Sequence, residues 1–169
     1  EIVGKLTQTK HIGILATPGT TKSNSYNIEI NKLWPELDVT GVACPLWVPI
    51  VENNEATGAG ADYFVKKRID HILWLDPDID TLILGCTHYP LISKNLKRLY
   101  PNIKIFSSSK EVATAVKMEL EAADMLSQNE NAKSIFYASD LSENFVNMIE
   151  RILGRDSDEL NIKFKNLDI

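Results

Sequence analysis

Leu82-Ile83-Leu84-Gly85-Cys86-Thr87-His88-Tyr89-Pro90 is an apolar run broken by glycine and closed by proline. Such a run reads as a buried strand giving way to a loop. Pro90 suits the first turn of a helix over Leu91–Leu99. A thiol and an imidazole leave the strand together at the break. Open parallel sheets bind their ligands outside the carboxyl ends of the strands. A thiol placed just ahead of a helix also meets the positive end of the helix dipole, a setting that activates cysteines. The stretch therefore predicts a site with a reactive cysteine, Cys86, beside His88. The rival reading is a buried thiol used as a small hydrophobe, with a histidine on the surface.

Outward from this stretch, strand and helix signals alternate. His11–Ala16 is a short apolar run ended by Pro18-Gly19. Lys22–Trp34 reads as one helix stopped at Pro35. Asp38–Ala43 is a second strand. Gly58–Leu75 carries Ala61, Phe64, Val65, Ile69, Ile72 and Leu73 at helical spacing. Thr81–Gly85 is the third strand and Ile103–Phe106 the fourth. Ser108 with Glu111 has capping-box spacing and opens a helix to about Ser127. Ser134–Ala138 is a fifth strand. Asp140 with Glu143 caps a helix whose stripe is Leu141, Phe145, Met148, Ile149 and Ile152. Leu160–Leu167 alternates weakly, as an edge strand does. The alternation predicts an α/β fold with a mostly parallel sheet flanked by helices.

The chain has 169 residues, 44% of them hydrophobic and 24% charged, with a net charge of −5. That is the composition of a soluble globular protein. With no basic block, no nucleic-acid footprint is expected. No apolar run is long enough to span a bilayer, so no membrane partner is expected. Two cysteines, Cys44 and Cys86, without a signal peptide suit a reducing cytoplasm. The chain opens on Glu1 rather than Met, as expected of a piece cut from something longer.

Two other segments bear on chemistry. Thr17-Pro18-Gly19-Thr20-Thr21-Lys22-Ser23 follows a strand and opens a helix, where hydroxyls and N–H groups can hold a carboxylate or phosphate. It fails the P-loop spacing, because Thr20 and Thr21 stand between Gly19 and Lys22, where the motif has none, and Gly13 lies one residue too far back. The plain reading is a helix cap. Cys44-Pro45-Leu46-Trp47-Val48-Pro49-Ile50-Val51-Glu52 also follows a strand. Glu52 is either a site carboxylate that tunes a thiol or imidazole, or a solvated loop acid. Cys44 reads as packing. A zinc site would need Cys44, Cys86, His88 and His71 or His11 to converge. No close-spaced ligand pair supports that, and no metal is expected. Trp34, Trp47 and Trp74 read as core or interface.

Gly85-Cys86-Thr87-His88-Tyr89-Pro90 resembles the second-cysteine motif of the glutamate racemases. Ile12–Thr17 with Thr20-Thr21-Lys22-Ser23 resembles the family's strand–threonine loop, and Ala43–Glu52 its Cys-Pro-Leu…Pro…Glu segment. Tyr137–Leu141 with Glu143-Asn144-Phe145 is similar to the C-terminal segment of some members. The resemblance implies cofactor-independent racemisation by two cysteines, one taking the α-proton from one face and the other delivering a proton to the opposite face. It implies Cys86 as the thiol acting on L-glutamate, His88 as its assisting acid or base, and Glu52 as a nearby charged partner. Thr87, Thr17 and Thr20 would hold substrate polar groups. The D-glutamate formed would feed peptidoglycan. The family's first catalytic cysteine, with the N-terminal half that carries it, has no counterpart here. Residues 1–106 are therefore expected to form one flavodoxin-like half, and 107–169 an α/β extension that packs on the missing N-terminal half. Such a chain should be inactive alone; a homodimer is left open. The competing readings are a non-catalytic anion-binding or interaction module using the Thr17–Ser23 loop, and a cysteine hydrolase with Cys86 as nucleophile.

Overall fold

The computed structural model of the chain describes residues 2–129 and 132–166. A short helix, α1 (Val3–Leu6), precedes β1 (His11–Ala16). The expected single helix from Lys22 to Trp34 is two: α2 (Pro18–Ser23) and α3 (Ser25–Leu33), parted by Asn24 at φ 54°. Asparagine is one of the few L-residues that visits the left-handed region readily, and one such residue breaks the helical path. β2 (Asp38–Ala43) then leads into α4 (Trp47–Glu52), where a loop was expected. Pro49 is tolerated there because it lies in the first turn of so short a helix. The long α5 (Ala59–Leu75) returns the chain to β3 (Thr81–Gly85). The helix expected over Leu91–Leu99 starts as a 3₁₀ turn at Tyr89–Ile92 and becomes α6 at Ser93–Leu99. A 3₁₀ turn thus stands between Cys86 and the first α-helical residue.

β4 (Lys104–Ser107) and α7 (Ser108–Ala122) follow. The Ser108–Glu111 capping box does not form: Ser107 is the capping position and Ser108 the first helical residue. β5 (Ile135–Ala138), α8 (Glu143–Leu153) and β6 (Asn161–Phe164) complete the described chain. The cap of α8 is Ser142, whose hydroxyl accepts the Phe145 N–H, rather than Asp140. The tail strand is shorter than read from the alternation, and Leu167 lies outside the described residues.

The first four strands form one parallel sheet in the order β2-β1-β3-β4, and β5 and β6 pair as a separate parallel ribbon. The order 2-1-3-4 is that of doubly wound flavodoxin-like sheets. Helices cover both faces, as parallel sheets require. Leu15, Leu82 and Leu84 point to one face, where Trp47, Val65, Ile69, Ile72, Ile92 and Leu96 meet them. Ile12, Ile14, Ala16 and Ile83 point to the other, against Tyr26, Ile30 and Trp34. Gly13 leaves room on the first face, since a Cβ there would sit 2.4 Å from Leu82 and 2.9 Å from Ile72.

Candidate functional site

Three strands of the sheet end level. Ala16 pairs with Ala43 on one side and with Gly85 on the other. Thr17, Cys44 and Cys86 therefore leave the sheet side by side, and the Cys44 N–H still donates to the Ala16 carbonyl at 2.8 Å. Strand order reverses between β1 and β3, so Thr17 and Cys86 flank the topological switch point, where sheets of this kind open a crevice. That closeness leaves little room for a side chain at Gly85. A Cβ on it would lie 3.0 Å from the Tyr26 ring, 3.1 Å from the Ala16 side chain and 3.3 Å from the Leu15 carbonyl oxygen.

The two cysteines differ. Cys44 is 1% exposed, within the core, and burial pushes its thiol up to about 12. Cys86 is half-buried at the edge of the same core. Its Sγ lies 3.8 Å from His88 Nδ1, the Thr87 hydroxyl lies 3.5 Å from the same nitrogen, and His88 Nε2 lies 3.1 Å from Glu52 Oε1. A carboxylate is an acceptor, so the Glu52 contact fixes the proton of a neutral imidazole on Nε2. That leaves Nδ1 as the acceptor facing the thiol. Carboxylate, imidazole and thiol thus stand in line, an arrangement able to take a proton from sulfur and return it.

Glu52 and His88 are 36 positions apart in sequence, and local packing brings them together. The Tyr89 hydroxyl donates to the Cys44 carbonyl at 3.0 Å, tying the turn after His88 to the turn before α4. Trp47 meets the Tyr89 ring edge-on at 4.9 Å, and its indole N–H donates to the Phe64 carbonyl at 3.3 Å. Both aromatics are fully buried. They fix α4 against the 3₁₀ turn, and Glu52, the last residue of α4, faces His88 as a result. Arg151 of α8 holds the same end of α4: its guanidinium donates to the Asn54 side-chain oxygen and, at 3.4 Å, to the Val51 carbonyl.

Thr17 caps α2. Its hydroxyl accepts the Thr20 N–H at 3.3 Å and lies 3.0 Å from the Thr20 hydroxyl. Thr87 is exposed on the turn between Cys86 and His88. Tyr26 carried no signal in the sequence, yet it lies against Gly85. Its phenol is raised by burial first and then by the neighbouring Cys86. Glu52 also lines a cavity of about 610 Å³, together with Ser139, Asp140, Ser142 and Phe145. The histidines considered for zinc do not converge. His11 sits at the opposite end of β1, and His71 stacks on Trp74 on the outer face of α5. His11 instead meets Asp76 at 3.0 Å and Asp38 at 3.7 Å, with Asp78 close by.

No protein-family profile matches the chain. Individual proteins do. A glutamate racemase of Hydrogenobaculum sp. (strain Y04AAS1) is 33% identical over 97% of this chain and 59% of its own length. One from Persephonella marina (strain DSM 14350 / EX-H1) is 36% identical over 92% of this chain and 57% of its own. The crystal structure of glutamate racemase from Francisella tularensis subsp. tularensis SCHU S4 in complex with D-glutamate matches with a TM-score of 0.87 at 27% identity, over 99% of this chain and 60% of that one. Isoform RacE1 from Bacillus anthracis matches with a TM-score of 0.81 at 32% identity, over 98% of this chain and 60% of its own. The chain therefore spans 57–59% of the length of these sequence relatives.

Proposed function

We propose that this chain, homologous to the glutamate racemases over nearly its whole length, is the part of such an enzyme that supplies one of two opposed proton-transfer groups. The observation carrying this reading is the Glu52–His88–Cys86 line beside the switch point. The Cα–H bond of glutamate is a weak acid. Breaking it needs a base held out of water and donors that stabilise the charge developing on the carboxylate. Cys86, as thiolate, takes the α-proton of L-glutamate, the C–H pair moves onto the substrate carbon and its carboxylate, and S–H is formed. A second thiol on the opposite face, in the portion absent here, gives a proton to the carbon and yields D-glutamate. The reverse reaction exchanges the two roles. His88 receives the Cys86 proton before the step, and Glu52 stabilises the imidazolium that results. Thr17 and Thr87 hold the substrate's polar groups, with Thr20 behind Thr17.

In this reading no cofactor takes part, the setting is the cytoplasm and the D-glutamate supplies peptidoglycan. Residues 107–169 are the extension that packs on the missing half, consistent with the exposure of Val112, Val116 and Met118 on α7 and of Tyr137 on β5. One thiol returns a proton only to the face it came from, so the chain alone racemises nothing. L-Glutamate incubated with the purified chain is expected to keep its circular dichroism signal. A sustained loss of that signal would show that the second group is not needed.

A further inference from the structure

Helix α4 carries Glu52 on its last turn, and its own sequence holds that turn weakly. It has six residues, too few to stand alone in water. Its last turn has no basic side chain, and its last residue, Glu52, is an acid set at the negative end of the helix dipole. Asn54 then turns the chain away in the left-handed region, at φ 60°. Trp47, buried in the core, anchors the first turn of α4. The cation that the last turn lacks comes from α8, 100 positions after Val51.

Arg151 is held at every nitrogen of its guanidinium. Nε donates to the Asn147 carbonyl of its own helix at 3.2 Å. Nη2 donates to the Val51 carbonyl at 3.4 Å, and Nη1 to the Asn54 side-chain oxygen. A planar fork fixed in this way loses little freedom for each bond it makes. A cation on the last carbonyls of a helix satisfies an acceptor and opposes the dipole. Arg151 takes the backbone and leaves the Glu52 carboxylate to His88 Nε2, 3.1 Å away. Phe145 and Met148, from the same helix as Arg151, line the cavity that Glu52 lines.

We propose that Arg151 is a positioning residue for proton transfer at Cys86: it holds the last turn of α4 so that Glu52 stays on His88. The inference rests on the role proposed for the Glu52–His88–Cys86 line. It makes the seat of α8 a determinant of reactivity at Cys86. The test is the rate at which iodoacetamide alkylates Cys86 in the folded chain at constant pH, followed by mass spectrometry of its peptide. Glu52→Gln is expected to slow alkylation by about three- to tenfold, the difference between a charged and a neutral hydrogen bond. Arg151→Met is expected to slow it within the same range. Because Arg151 acts through Glu52, adding Arg151→Met to Glu52→Gln is expected to change the rate by less than about twofold. Asn54→Gly keeps the left-handed turn and the Arg151 charge while removing one acceptor, and is expected to slow alkylation by about two- to threefold. It takes the place of Arg151→Met should that variant lose its far-UV circular dichroism. A rate unmoved by Glu52→Gln overturns the reading of the site, and this inference with it. Where Glu52→Gln slows the reaction, two results overturn the inference alone. One is an unchanged rate in the folded Arg151→Met or its substitute; the other is equal slowing with and without Glu52→Gln.

Discussion

Cys44 and Cys86 leave neighbouring strands, and their surroundings set them apart. Burial holds the Cys44 thiol up at about 12, so it carries almost no thiolate at neutral pH, and it is inaccessible. Cys86 is half-buried with an imidazole nitrogen at 3.8 Å. Iodoacetamide at pH 7.5 is therefore expected to alkylate Cys86 and spare Cys44 in the folded chain, read by mass spectrometry of the peptides. Equal modification of both would contradict the burial of Cys44. At this scale much was legible in the sequence: a thiol, a hydroxyl and an imidazole in succession after an apolar run mark the place. Glu52 was legible only as one of two readings, because a carboxylate 36 positions away declares no partner. The place of Tyr26 beside Gly85 was not legible at all, since it follows from how α3 packs on the ends of β1 and β3.

Boundaries of elements were set by residues whose effect depends on neighbours. The central strands β1 and β3 fall where the apolar runs place them, because a parallel strand covered on both faces needs a near-continuous run. The helices fall less well. Asn24 splits α2 from α3 by adopting φ 54° without any Gly or Pro to announce it. Replacing Asn24 by Val is expected to cost about 1–2 kcal/mol, the strain of a β-branched residue in the left-handed region, read as a lower midpoint in urea unfolding. An unchanged midpoint would mean that the break is not held at this residue. α4 was hidden because Pro45 and Pro49 read as loop signals. Its stability comes from Trp47 and Val51 buried beneath it, which a local reading does not see. That packing carries Glu52 to His88, so the element matters more to the site than its six residues suggest.

Over the whole molecule, the candidate site lies at the carboxyl end of the sheet and a charged cluster lies at the amino end, where His11 begins β1. His11 is raised above its ordinary value of 6.5, chiefly by its hydrogen bond with Asp76, with Asp38 and Asp78 adding to it. A histidine raised by folding contributes stability that is complete below 6.5 and is lost as pH rises through the raised value. The thermal unfolding midpoint is therefore expected to fall from pH 6 toward pH 8.5, and His11→Asn is expected to flatten that part of the profile. An equally steep fall in the variant would place the dependence elsewhere. The α/β class and the parallel sheet were readable from the alternation of runs. The separate β5–β6 ribbon was not, because strand partners are chosen by tertiary packing rather than by the strands themselves. Among the described residues no helix is long and apolar enough to cross a membrane. The central claim is that the Cys86 sulfur exchanges a proton with the α-carbon of glutamate. Its most direct test is deuterium incorporation at Cα of L-glutamate in D₂O, catalysed by the protein that joins this chain to the portion it lacks. Cys86→Ala is expected to abolish that exchange while Cys44→Ala leaves it in place; exchange that persists without Cys86 would contradict the account.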